Sequence, residues 1–162
     1  EINAERDLKK YEHFGALKAL EFQKDLEKLA FTAGGRSQVA PAQRMTDFVE
    51  GKLSNTLNET SYQPGLNSAP LHSLFPKLIG ASLRKGFKAF GDKMKGYYTE
   101  EANIIGVESR TSSPVSIPRN ENLAHPEITN LYPCGEGGGY AGGIISAAMD
   151  GERCAEAATG KL

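Results

Sequence analysis

The chain has 162 residues, 39% of them hydrophobic, which is enough for one buried core, so a single domain is expected. Nineteen basic and 20 acidic residues leave a net charge of −1, which gives no overall attraction to nucleic acid or to an anionic membrane. No apolar stretch approaches the roughly 18 residues of a membrane span. Cys134 and Cys154 have neither C-x-x-C nor metal-site spacing, so we expect no metal and a cytoplasmic location.

The N-terminal third predicts a long helix followed by turns. Residues 4–33 favour helix, weakened at Gly15, and the pair Gly34-Gly35 predicts its C-terminal end. Five apolar residues recur there at helical spacing: Ala19, Phe22, Leu26, Leu29 and Ala33. Residues 36–69 are polar and rich in turn formers, with one short helix expected at about 44–49.

The remaining elements are one long helix, three short strands and a final helix. Pro76 predicts the start of the long helix, which runs to about Met94. Its apolar stripe consists of Ile79, Leu83, Phe87, Phe90 and Met94. Strands are predicted at 102–108, 114–117 and 128–132. The sequence therefore predicts an α+β fold, mainly helical with a small sheet.

A glycine-rich segment follows the last predicted strand. Gly137, Gly139 and Gly142 match the G-x-G-x-x-G pattern of dinucleotide-binding units. Such a unit needs a second parallel strand that ends in an acidic residue. The final helix is followed by only a few residues, and Glu156, at about the right distance, is predicted on the helix itself. We therefore interpret the match to this pattern as accidental.

The same segment fits another kind of ligand site. Glycines let a ligand approach the backbone closely, and the first turn of a helix offers unpaired N–H groups at the positive end of its dipole. Glu136 can accept hydrogen bonds from the hydroxyls of a sugar alcohol, and the amides of residues 140–143 can face an electron-rich carbonyl. The segment thus predicts a site for a polyol joined to a reducible ring.

Several blocks of the sequence together resemble a known family. They are Glu21-Phe22-Gln23, residues 40–44 with Asp47-Phe48, residues 61–65, residues 106–114 and residues 131–157. The last block resembles the C-terminal flavin-binding segment of FAD-dependent dehydrogenases, specifically the uncharacterised bacterial group of NAD(FAD)-utilising dehydrogenases. The resemblance extends over residues 20–157, which is most of the chain.

The resemblance implies FAD as cofactor and assigns residues to it. Gly135 and Glu136 would contact the ribityl chain, and the start of the final helix would face the pyrimidine end of the ring. The implied cofactor-binding residues are Gly135, Glu136, Gly139, Tyr140, Ala141, Gly142, Gly143 and Ile144. A small-molecule substrate is also implied, with NADH or NADPH as a candidate reductant.

The resemblance also implies that this is an excised C-terminal part of a Rossmann-type flavoprotein. Residues 1–100 would supply substrate-side helices, and residues 101–160 the strands and the flavin loop. The piece alone is expected to be inactive and to bind FAD weakly or not at all. Gly143, Ala147 and Gly151 form a ridge of small residues that would pack against the missing N-terminal Rossmann half, or against a second copy of the chain.

Four further residues are candidate substrate or flavin contacts. Arg110 and Ser112 could hold a carboxylate or the flavin carbonyls, but an ion pair between Arg110 and Glu108 is an equally good interpretation. Arg44 and Tyr62 lie in blocks that resemble the family and could line a substrate pocket. No residue is identified as catalytic.

The alternative function is a non-catalytic binding module. Lys77, Arg84, Lys88 and Lys95 line one face of the long helix and could contact RNA or a protein partner. No row of aromatic residues accompanies them and the chain has no basic excess, so a solvated face is the preferred interpretation and nucleic acid is not an expected partner.

Overall fold

The computed structural model describes residues 3–110 and 112–160, which divide into two compact units. Unit 1 comprises residues 24–109, and unit 2 comprises residues 3–23 and 110–160. The elements are α-helices, one 3₁₀ helix and a three-stranded sheet. The predicted α+β class, mainly helical with a small sheet, is confirmed.

The N-terminal helical region is interrupted where the sequence contains Gly15. Helix α1 (Ala4–Asp7) is followed by a 3₁₀ helix (Lys9–Leu17) and then by α2 (Lys18–Ala33). Gly15 has φ 55° and ψ −124°, a conformation that a side chain would strain. The predicted α-helix is therefore confirmed over Ala4–Asp7 and Lys18–Ala33, is replaced by a 3₁₀ helix between them, and is broken at the predicted weak point Gly15.

The end of α2 forms at the predicted glycine pair. The N–H of Gly34 donates to the carbonyl of Ala30 at 2.8 Å, and the N–H of Arg36 donates to the carbonyl of Phe31 at 2.8 Å. Gly35 between them has φ 94°, which favours glycine. The predicted C-terminal stop is confirmed because the last carbonyls of the helix find partners in this turn.

The sheet lies entirely in unit 1 and has the strand order β2-β1-β3. Strand β1 (Ala40–Arg44) is central, β2 (Leu66–Ser68) pairs with it in parallel, and β3 (Asn103–Ile105) pairs with it antiparallel. Ala42 lies opposite Ser68 on one side and Ile105 on the other. Only β3 falls in a predicted strand.

Strand β1 contradicts the prediction of turns at this position. Proline lacks the N–H that a residue of a central strand normally donates, so Pro41 is an unusual residue at this position. In the structure the carbonyl of Pro41 accepts from the N–H of Gly106 at 3.0 Å, while the N–H of Ala40 donates to the carbonyl of Gly65 at 3.1 Å. The neighbours of Pro41 thus supply the pairing that Pro41 cannot.

The predicted strands at 114–117 and 128–132 are wrong. The described part of unit 2 contains no strand that could pair with them. In the first segment the N–H of Ile117 donates to the carbonyl of Gly138 at 3.0 Å, and in the second the carbonyl of Leu131 accepts from His125 at 2.8 Å. Asn130 has φ 61°, which breaks an extended chain. An apolar segment stays a loop when no neighbouring strand is available to hydrogen bond with its backbone N–H and C=O groups.

The core of unit 1 is an apolar cluster between short and long helices. Helices α3 (Met45–Glu50) and α5 (Lys77–Lys93) confirm two predicted helices, and α4 (Leu71–Leu74) lies between them in sequence. The cluster consists of buried Phe48, Val49 and Leu71 with partly buried Leu74, Phe75, Phe87, Tyr98 and Ile104 around them.

The predicted apolar stripe of α5 is only partly buried. The ring of Phe87 packs edge-on against Phe48 with 5.8 Å between the ring centroids. Leu83, Phe90 and Met94 of the same stripe remain 38%, 47% and 46% exposed. The stripe therefore stabilises unit 1 through its inward half.

Two helices end the described chain. Helix α6 (Gly135–Gly138) is a single turn within the glycine-rich segment, and α7 (Ile144–Ala158) confirms the predicted final helix. Across residues 3–110 and 112–160 no helix is both long enough and apolar enough to cross a membrane. The same residues hold no cluster of three or more side chains that could bind a metal ion.

Candidate functional site

The glycine-rich segment between Pro133 and α7 is shaped by two glycines with positive φ. Gly135 has φ 65° and Gly139 has φ 83°, conformations that strain any other residue. A Cβ on Gly139 would also lie 2.7 Å from the carbonyl oxygen of Val115 and 2.8 Å from the Cα of Ser116. Packing and backbone conformation within unit 2 therefore require glycine at 139.

Two other glycines of the segment are not required by the described chain. A Cβ on Gly137 or Gly142 would meet no described heavy atom within 4 Å, and neither residue has the positive φ that favours glycine. The backbone at both positions faces open space. A group outside the described chain could therefore approach this backbone closely.

Asp150 of α7 fixes the start of the segment. Its carboxylate is 8% exposed and accepts the N–H of Gly135 at 2.8 Å. Arg119 pairs with it through two nitrogens, at 3.0 Å and 2.8 Å. The hydrogen bonds from Arg119 and from Gly135 lower the pKa of Asp150. Asp150 thus stays ionised and holds the backbone of Gly135 in place.

Arg119 connects Asp150 to the other end of the segment. It donates to the carbonyl of Pro133 at 3.0 Å, and its guanidinium lies 3.6 Å from the centroid of the Tyr140 ring. The Tyr140 hydroxyl donates to the carbonyl of Ile117 at 2.7 Å. We call Arg119, Asp150 and Tyr140 the Arg119–Asp150 clamp. The clamp fixes both ends of the turn by directional contacts.

Arg119 and Asp150 were not among the residues predicted for this site. Asp150 follows Ala147 by three residues and precedes Cys154 by four, so all three share a face of α7. A carboxylate on a face otherwise made of small residues was the available signal, because such a group needs a partner when it is buried.

The structure uses two of the amides that were predicted to face a ligand. The N–H of Tyr140 donates to the carbonyl of Gly135 at 3.0 Å. The N–H of Gly143 donates to Oγ of Ser146 at 3.2 Å, and this hydroxyl donates back to the carbonyl of Gly143 at 3.0 Å. These two amides are committed to the turn and to the cap of α7.

Four other amides keep their hydrogen-bonding capacity. No described group accepts from the N–H of Ala141, Gly142, Ile144 or Ile145. The last two belong to the first turn of α7, where the helix itself offers no acceptor. The available donors therefore lie around Gly142 and at the start of the helix.

Glu136 is half-buried and keeps an available carboxylate. Its backbone carbonyl accepts the N–H of Gly139 at 2.9 Å, but its side chain has no hydrogen bond or ion pair with any described residue. Both polar backbone atoms of Gly135 are engaged, so this residue positions Glu136 and offers no backbone group to a ligand.

Tyr62 and Arg44 both belong to unit 1 but have different surroundings. Tyr62 donates its hydroxyl to the carbonyl of Gln38 at 2.8 Å and lines a pocket of about 300 Å³. The other lining residues are Ala40, Ile105, Gly106, Val107 and Glu108. Arg44 is not among them, because its guanidinium donates to the carbonyl and hydroxyl of Thr56 at 2.9 and 3.0 Å.

Arg110 and Ser112 are exposed residues of unit 2. They flank Thr111, which lies outside the described residues. Their assignment as substrate or flavin contacts stays a prediction.

One member of the basic face on α5 is part of the fold. Nε of Arg84 donates to the carbonyl of Val49 at 2.6 Å. Lys77, Lys88 and Lys95 are exposed, and Lys95 lies beyond the end of the helix. In the surface proposed for an RNA or protein partner, one nitrogen of the arginine is therefore committed to the fold.

The family follows from comparison with known proteins. Residues 1–111, more than half of the chain, match the family described as "FAD-dependent protein, C-terminal domain-like". The chain belongs to this family. The resemblance to the C-terminal region of FAD-dependent proteins is thus confirmed, although the glycine-rich segment lies outside the matched residues.

A relative extends the similarity beyond residue 111. The chain is 43% identical over 142 residues to an uncharacterised protein of Clostridium beijerinckii. This similarity covers 86% of the chain, more than residues 1–111 alone provide, and 27% of the relative. The chain therefore spans about a quarter of the length of this longer protein.

Proposed function

We propose that this chain is the C-terminal portion of an FAD-dependent oxidoreductase and that residues 135–144 bind the flavin. Membership of a family of FAD-dependent proteins supports the cofactor. The observation that carries the proposal is the combination of an available carboxylate on Glu136 with unpartnered amides around Gly142 and Ile144. Open space in front of Gly137 and Gly142 gives a planar ligand access to this backbone.

The residues fit the two chemically different parts of the flavin. When bound, FAD supplies a two-electron acceptor whose ring gains negative charge on reduction. The N–H groups of Ile144 and Ile145, at the positive end of the α7 dipole, would stabilise such charge. The carboxylate of Glu136 accepts hydrogen bonds from the ribityl hydroxyls. Glu136 would thus hold the polar tail of the cofactor, and the first turn of α7 its ring.

The remaining components belong to the longer protein. We propose that a Rossmann half outside this chain binds the ADP part of FAD, that a small molecule is the substrate and that NADH or NADPH is the reductant. The pocket beside Tyr62 is a candidate for the substrate side because it combines apolar walls with the carboxylate of Glu108. The activity belongs to the whole protein, and this chain contributes the segment for the flavin ring.

The first test measures FAD binding by the longer protein that contains this chain. We expect flavin absorbance bands that dithionite bleaches. Glu136→Gln should weaken FAD binding by about tenfold, because a charged acceptor becomes neutral. Glu121→Gln is the matched control, because Glu121 is an exposed glutamate of the same unit. A protein that folds without taking up flavin, or that binds it equally with either variant, would refute the proposal.

A second pair of variants tests the approach of the ligand to the backbone. Gly142→Val adds a side chain where the described chain leaves open space, so the fold should persist while FAD binding is lost. Gly86→Ala is the control, because it also faces open space but lies in α5 of unit 1, outside the glycine-rich segment. Circular dichroism verifies the fold of both. Undiminished FAD affinity in Gly142→Val would show that the ligand binds elsewhere.

A further inference from the structure

Cys134 lies between two contacts that join the glycine-rich segment to α7. On one side of it, the N–H of Gly135 donates to Asp150 at 2.8 Å. On the other side, the carbonyl oxygen of Pro133 lies 3.8 Å from Sγ of Cys154. Asp150 and Cys154 are one helical turn apart on α7. The backbone of Cys134 is therefore held directly against the helix face that carries the second cysteine.

The two thiols differ in accessibility. Both are free, Cys134 is exposed and Cys154 is 3% exposed. Burial, the nearby carboxylate of Asp150 and the neighbouring thiol of Cys134 raise the pKa of Cys154. A reagent in solution can reach exposed Cys134, whereas buried Cys154 is shielded from it. The pair was not predicted, because 19 residues separate its members in the sequence.

We propose that Cys134 and Cys154 form a redox site that closes to a disulfide and covalently links the glycine-rich segment to α7. The partner is a small disulfide of the glutathione type. This site does not depend on the proposed flavin function, because the two thiols and the contacts that bracket Cys134 lie within unit 2.

The exchange proceeds in two balanced steps. The thiolate of Cys134 attacks one sulfur of oxidised glutathione, which forms a mixed disulfide and releases one glutathione thiolate. Cys154 then loses its proton to solvent and attacks the sulfur of Cys134, and the second glutathione thiolate leaves. Two protein thiols are oxidised and one small disulfide is reduced to two thiols. Cys154 gives up its 3.4 Å contact with Arg119 as its sulfur turns toward Cys134.

The test equilibrates the purified protein with mixtures of oxidised and reduced glutathione. Remaining thiols are then alkylated, and peptides are mapped by mass spectrometry. We expect a monomer that has lost two hydrogen atoms, carries no glutathione and yields a peptide pair linked through Cys134 and Cys154. A product that retains glutathione on Cys134, a dimer linked through Cys134, or unchanged thiols would each overturn the proposal.

Two variants separate the roles of the thiols. Cys154→Ala removes the resolving thiol but keeps a small apolar side chain, so oxidation should stop at a glutathione adduct on Cys134. Cys134→Ser alters an exposed position, so the fold should persist and buried Cys154 should stay reduced. Oxidation of Cys154 at the wild-type rate in Cys134→Ser would contradict the proposed order. If Cys154→Ala does not fold, the wild-type peptide map and Cys134→Ser still decide the outcome.

Discussion

The two units are stabilised in different ways. Unit 1 buries nine apolar residues: Leu26, Ala30, Ala40, Ala42, Met45, Phe48, Val49, Ala69 and Leu71. The described part of unit 2 buries Leu8, Phe22, Leu123 and Cys154. Its C-terminal portion is held instead by the Arg119–Asp150 clamp and by glycines with positive φ. Apolar burial thus stabilises unit 1, and directional polar contacts hold the C-terminal portion of unit 2.

This difference matters because the candidate site lies in the polar unit. Apolar contacts are non-directional and tolerate small shifts of the backbone, whereas a two-point ion pair fixes orientation. The clamp holds Gly135 and Tyr140, which border Glu136 and the available amides. A site built from backbone donors needs such fixed geometry. The polar contacts of unit 2 would thus give the proposed site the fixed backbone that it needs.

The largest expected effect comes from removing the centre of the unit 1 core. Phe48 is fully buried and packs against Phe87, so Phe48→Ala should lower the free energy of unfolding by about 4 kcal/mol. Phe90→Ala is the control and should cost about 1 kcal/mol or less, because Phe90 is 47% exposed. Urea unfolding with hydrogen exchange in both units provides the measurement. Equal losses for the two variants would contradict an apolar core at Phe48.

A smaller effect is expected from the clamp of unit 2. Asp150→Asn keeps the shape of the side chain but removes its charge, so the unfolding free energy of unit 2 should fall by about 2 kcal/mol. Hydrogen exchange should accelerate around Gly135, which loses its charged acceptor. Glu152→Gln on the exposed side of α7 should leave this exchange unchanged. Unchanged exchange in Asp150→Asn would show that the clamp does not hold the segment.

The same clamp predicts acid sensitivity. Because the pKa of Asp150 is lower in the folded state, its contribution is complete above the unfolded pKa and is lost as pH falls below about 4. Asp7 of the same unit also contributes to acid sensitivity, because its hydrogen bond with Arg6 lowers its pKa to about 2. The difference in unfolding free energy between wild type and Asp150→Asn isolates Asp150 and should shrink toward zero on acidification. A constant difference would argue against the ion pair.

The smallest expected effect should be equal in the two units. Gly86 of α5 and Gly151 of α7 lie inside helices, and a Cβ on either meets no described atom within 4 Å. Each change to alanine should raise the unfolding free energy by about 1 kcal/mol, because alanine restricts the unfolded chain. Gly80→Ala is the control and should gain less, since its Cβ would lie 3.3 Å from the carbonyl of His72. Thermal melts measure all three.

Local patterns predicted the helices well. Apolar spacing and the signals Pro76 and Gly34-Gly35 located α5 and the end of α2. The glycine-rich segment with a helix behind it was also found from sequence, because glycine clusters report backbone conformation directly. The interruption at Gly15 was predicted as a weakening but proved to be a complete break.

Pairing was not predictable from the same patterns. Residues 128–132 are apolar enough for a strand but find no partner in unit 2, whereas Pro41 lies in a central strand because its neighbours complete the ladder. Arg119 and Asp150 are 31 residues apart and carry no shared motif. The pairing of strands, of charged groups and of thiols depends on contacts between residues that are far apart in the sequence.

The amino-acid sequence by itself determined the helical character of the chain, its family and the position of the glycine-rich stretch from Gly135 to Ile144 before the final helix. These features are encoded within a few neighbouring residues. Tertiary structure decided the composition of the sheet, the choice of amides that stay available and the pairing of Arg119 with Asp150. Each of these depends on contacts between residues that are far apart in the sequence. A local pattern contains no information on which of the distant residues will form the contact.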